Sequence, residues 1–105
     1  MSEETRLQKI ESQLAQSPDD PFLNYCQALE LGKAGQVDAA RAAFQRVQTL
    51  DPKDVAAFFQ EGQLLARVGQ TDAAREVLQT GMARARETGN SHALGEMNAF
   101  LESLG

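Results

Sequence analysis

The residues GQVDAAR at 35–41 return as GQTDAAR at 69–75, and that interval of 34 residues constrains the fold more than any other feature of the chain. Shifted by 34, Asp20–Lys53 lies on Asp54–Glu87. Identity holds at Asp20/Asp54, Leu31/Leu65, Gly35/Gly69, Gln36/Gln70, Asp38/Asp72, Ala39/Ala73, Ala40/Ala74, Arg41/Arg75 and Gln45/Gln79. Ala28/Gly62, Lys33/Arg67, Ala34/Val68 and Phe44/Leu78 agree in kind. A unit repeated at this period cannot bury its apolar face alone and must stack on neighbours. Pro18 stands 34 before Pro52, and Ile10 stands 34 before Phe44. The first segment therefore reads as half a unit, its second helix without its first.

Proline and glycine divide the chain into six segments, near 3–16, 21–34, 37–50, 55–68, 72–88 and 91–104. Each carries apolar residues at helical spacing, as in Leu7, Ile10 and Leu14 or Leu94, Met97, Phe100, Leu101 and Leu104. Glu3 and Glu4 are expected in the first turn of the first helix, where the helix dipole favours them. Asp20 is the expected N-cap of the second, with Pro21 in its first turn. Asp54 and Thr71 are the capping candidates of the fourth and fifth, and Gly89 the terminator of the fifth. No segment alternates with period two, so no strand is expected and the predicted class is all-α.

The repeated phrase has a local meaning. Gly35 and Gly69 follow the first helix of each pair, where tolerance of positive φ lets the chain reverse quickly. Ala40 and Ala74 are small and are expected to approach Ala28 and Gly62. Small residues on both sides predict a tight antiparallel helical hairpin.

This pattern resembles the tetratricopeptide repeat (TPR) family. Ala28 and Gly62 match the small residue of the family's first helix, and Leu31 and Leu65 its large apolar one. Ala40 and Ala74 match the alanine of the second helix, with Phe44 and Leu78 a turn later. Val47 and Gly81 hold the next small site, Pro52 closes the first repeat, and Phe58 takes the tryptophan position. Asn24 departs from the pattern at that position in the first repeat, as do Gln27 and Glu61 at an apolar one and Arg86 at the closing proline. The resemblance implies a TPR-like solenoid within one domain: a half repeat over 3–19, repeats over 20–53 and 54–88, and a capping helix over 91–104.

Chemistry is sparse. Cys26 is the only cysteine and His92 the only histidine, far apart in sequence, which leaves no Cys–His pair and no intramolecular disulfide. Cys26 reads as a small apolar residue packed between helices. No CxxC, HExxH or EF-hand pattern occurs, and the glycines are dispersed rather than gathered around a phosphate. Neither catalysis, a metal nor a cofactor is expected. Net charge is −5, and the ten basic residues are scattered from Arg6 to Arg86, which argues against nucleic acid. MSEETRLQKI lacks an apolar signal core, and no run approaches membrane-spanning length, so a cytoplasmic protein is expected.

Surface recognition remains. In the family that this chain resembles, the first helix of each repeat lines a concave groove that holds a peptide or a partner's helix. The matching positions here are Phe22, Tyr25, Leu29 and Lys33, then Ala56, Phe59, Gln63, Ala66 and Arg67. Of these, Tyr25, Leu29, Lys33, Phe59, Gln63 and Arg67 are the expected partner contacts. Two aromatics with Lys33 and Arg67 suit a protein segment carrying an acidic group. The subclass that grips chaperone tails is not implied, because Tyr25, Leu29, Gln60, Asn90 and Leu94 stand where its clamp residues would be. The alternative is a homodimer through apolar residues of the terminal helices, such as Phe22, Phe100 or Leu104.

Overall fold

The computed structural model of the chain describes residues 4–105, so the expected helical start at Glu3 lies outside the described residues. Six α-helices and no strands occur among them. They are α1 (Arg6–Gln16), α2 (Pro21–Lys33), α3 (Val37–Leu50), α4 (Ala56–Arg67), α5 (Thr71–Glu87) and α6 (Ser91–Ser103). Two compact units divide them, Met1–Asp51 with α1–α3 and Pro52–Gly105 with α4–α6. No helix of the described residues is long and apolar enough to cross a membrane.

Local chemistry sets the helix ends. Asp20 caps α2 by accepting the Leu23 N–H at 3.1 Å, and Pro21 follows at the first position. Glu4 is not in the first turn of α1. That helix starts at Arg6 behind a capping box, in which Thr5 Oγ1 accepts from Gln8 N and Gln8 Oε1 accepts from Thr5 N. Thr71 is the first residue of α5 rather than its cap. Asp54 Oδ1 accepts the Ala56 N–H at 3.0 Å, with Val55 between them.

The turns after α2 and α4 are built alike. Gly35 and Gly69 have φ of 79° and 85°. In each turn the residue after glycine reaches back five positions: Gln36 N–H to the Leu31 carbonyl at 3.0 Å, and Gln70 N–H to the Leu65 carbonyl at 2.8 Å. These bonds close the helix ends in Schellman geometry, which needs the left-handed residue that glycine supplies.

The two hairpins solve one packing problem differently. In the second unit Phe58, Leu78, Met82, Ala85 and Met97 form the buried cluster, and glycines make room for it. A Cβ at Gly81 would lie 2.6 Å from Phe58 Cβ and 2.8 Å from Met97 Sδ. At Gly62 the nearest neighbour is Leu78 Cδ2, at 2.7 Å, so the small residue of α4 makes room for the leucine of α5. In the first unit the equivalents of Phe58 and Gly81 are Asn24 and Val47, both buried. Asn24, 2% exposed, donates through Nδ2 to the Pro18 carbonyl at 3.0 Å and the Asp20 carbonyl at 2.8 Å. Its Oδ1 accepts from Arg46 Nε at 3.1 Å, and Arg46 Nη2 also donates to Gln27 Oε1 at 2.9 Å. Asn24 and Gln27, two departures from the family pattern, thus belong to one network centred on Arg46. It leaves no polar group of Asn24 stranded, the condition for burying an amide at all.

Candidate partner-binding surface

On α2, Phe22, Tyr25, Leu29 and Lys33 follow at spacings of three and four, which places them on one helical face. Phe22 is 71% exposed, unusual for a phenylalanine, while Tyr25 and Leu29 are half-buried. The Tyr25 ring stands edge-on to Phe44 of α3, centroids 6.2 Å apart, an arrangement that fixes it against its own hairpin. Lys33 is exposed but not free: its Nζ is 3.7 Å from Glu30 Oε1, an oxygen that Arg6 Nε also approaches at 3.2 Å. One carboxylate there serves two cations.

On α4, Phe59, Gln63 and Arg67 repeat every fourth residue and share a face. Phe59 is half-buried, its ring edge-on to Phe100 of α6 with centroids 5.9 Å apart. The last helix therefore lies against the aromatic end of this stripe, a contact that the spacing of either helix alone does not reveal. Gln63 is half-buried and Arg67 exposed, and neither makes a hydrogen bond or ion pair with any described residue. An amide and a guanidinium, about one helical turn apart, are thus left open to an incoming group.

Other residues singled out by sequence fall into supporting places. Phe58 is core, as its position in the repeat implied. Phe100, Leu101 and Leu104 pack on the core of the second unit, as do Leu94 and the fully buried Met97. Glu96 and Glu102 face solvent, with Glu96 Oε1 3.2 Å from His92 Nε2. Cys26 is half-buried with a free thiol.

Residues 33–95 match the family described as tetratricopeptide repeat. Several solved structures resemble most of the chain. One is a Bordetella parapertussis protein, 25% identical, with a TM-score of 0.81 over 97% of this chain and 89% of that one. Another is a tetratricopeptide repeat domain protein from Salinibacter ruber, 31% identical over 83% of this chain and 88% of its own, with a TM-score of 0.73. The TPR2B domain of yeast Sti1, solved in its complex with pHsp70, is 18% identical and shares the fold, with a TM-score of 0.81 over 93% of this chain and 78% of that one. No curated protein matches the chain significantly. The helical hairpins, their left-handed glycine turns and the residues that pack between them agree with these matches: the chain belongs to the tetratricopeptide repeat family.

Proposed function

We propose that this chain is a non-catalytic, cytoplasmic adaptor that binds a peptide or partner helix through the first-helix stripes of its repeats. Those are the positions that the repeat register assigns to the family's concave groove: Tyr25, Leu29 and Lys33 on α2, and Phe59, Gln63 and Arg67 on α4. Tetratricopeptide repeats are protein-interaction modules, and a structural neighbour is solved with pHsp70 bound, which supports a protein partner. The observation that carries the reading is the open pair on α4, where Gln63 and Arg67 have no partner among the described residues. A guanidinium with all five N–H groups available, beside an amide, favours a segment bearing a carboxylate. Phe22 supplies exposed aromatic area on α2. The pHsp70 partner of the yeast domain is not carried over, since this chain lacks the chaperone-tail clamp.

Affinity capture from lysate tests this, comparing wild type with a Gln63→Ala/Arg67→Glu variant of matched helicity. The expected result is a partner held by wild type and lost by the variant. Retention of the same partner by both would contradict the reading. Self-association keeps one supporting observation, the exposure of Phe22, because Phe100 and Leu104 are engaged within their own unit. Sedimentation at several concentrations, with Phe22→Ser as comparison, distinguishes a dimer from a monomeric adaptor.

A further inference from the structure

We infer that the outer face of α3 is a second docking surface, made for a partner segment that presents an aliphatic side chain beside a single carboxylate. An open hollow of about 360 Å³ lies there, lined by Asp19, Ala42, Gln45, Arg46, Thr49 and Leu50. That volume is in the range of sites that hold a small group of atoms. Ala42 and Leu50 give it apolar surface, Leu50 being 36% exposed.

Arg46 gives it charge and direction. Its guanidinium is anchored by the buried Asn24 and the half-buried Gln27, both neutral acceptors. No carboxylate of the described residues pairs with it. Two of its five N–H groups are used in that anchoring, so three remain for an incoming acceptor. A fixed guanidinium loses little side-chain freedom on binding, and its planar fork suits a carboxylate. Asp19 also lines the hollow and disfavours negative charge beyond what Arg46 offsets, which favours one carboxylate over an acidic run.

The chain supplies its own control. The equivalents of the six lining residues in the second unit are Lys53, Glu76, Gln79, Thr80, Ala83 and Arg84, a face of mixed charge suited to water. At three of those positions the first unit has Ala42 for glutamate, Arg46 for threonine and Leu50 for arginine. The chemistry of this face is therefore a property of the first unit and not of the fold. It lies on a different helix from the α2 and α4 stripes and does not depend on their role.

The test is a titration of the full chain, labelled with ¹⁵N, by N-acetyl-leucine and by its neutral analogue N-acetyl-leucinamide. The expected result is saturable shifts at the amides of residues 42–50 and at Arg46 Nε. The acid should bind roughly 3- to 10-fold more tightly than the amide, the scale of a charge-assisted contact near the surface. Ala42→Glu, which installs the second unit's residue at an exposed position, should abolish those shifts, and Leu50→Arg should do the same as an independent variant. An absence of saturable shifts on α3, an equal response to acid and amide, or shifts centred on the α2 or α4 stripe would each overturn the inference. So would unchanged binding by both variants.

Discussion

Replacing Gly81 by alanine adds one methyl group at the tightest point of the second hairpin. The new Cβ would sit 2.6 Å from Phe58 Cβ, 2.8 Å from Met97 Sδ and 3.1 Å from Phe58 Cγ. Carbon atoms pack at about 3.5–4.0 Å, so roughly 1 Å of room must open. Met97 can swing its sulfur aside. Phe58 Cβ cannot move without α4, because it is bonded directly to the backbone. Overpacking of this kind costs about 1–3 kcal/mol, with a backbone shift towards the upper end. Alanine returns about 1 kcal/mol in helix propensity over glycine. The net expectation is a loss of about 1–2 kcal/mol. At 4–8 °C per kcal/mol for a domain of this size, melting should fall by roughly 5–15 °C. Gly95→Ala is the internal comparison, since nothing lies within 4 Å of a Cβ there and the position is helical and exposed. It should gain about 0.5–1 kcal/mol. Urea and thermal unfolding followed by circular dichroism measure both. A Gly81→Ala protein as stable as wild type, beside a stabilised Gly95→Ala, would refute the packing argument.

Arg46→Ala should cost about 1–2 kcal/mol in urea unfolding, because Asn24 Oδ1 loses its donor inside the hairpin, and Arg46→Lys should recover part of that loss. Gly69→Ala should lower stability by about 1–2 kcal/mol through its φ of 85°, with Gly69→Asn falling between the two. Thr5→Ala should remove about 1 kcal/mol of N-cap stabilisation, read as faster amide exchange over 6–16 with little change in α5.

The features legible in the sequence are those with a local or periodic signature. Six helices follow from apolar spacing and from the glycines and prolines between them, and the turns at Gly35 and Gly69 follow from a repeated phrase whose backbone meaning is local. The capping box was also local, spelled by Thr5 and Gln8, yet the acidic pair before it suggested an earlier start. The missing features join residues far apart in the chain. Arg46 reaches Asn24 across 22 positions, and only a comparison of Asn24, Gln27 and Arg46 with Phe58, Glu61 and Thr80 hints that the three belong together. The contact of Phe59 with Phe100 likewise depends on how α6 packs, which its own amphipathic spacing leaves open. The expected site residues also prove unequal. Lys33 shares Glu30 with Arg6, whereas Arg67, its equivalent, has no such neighbour among the described residues. The difference comes from Glu30, whose equivalent in the second repeat is Leu64.

Site-specific photocrosslinking tests the adaptor role most directly. A benzophenone side chain is placed at Phe22, at Gln63 or, as a control on the outer face of the second hairpin, at Glu76, and each protein is irradiated in lysate. A protein-interaction module that uses its first-helix stripes should crosslink one common partner from positions 22 and 63 and not from 76. Crosslinks from 22 and 63 only to a second copy of the chain, or to a partner from 76 alone, would contradict it.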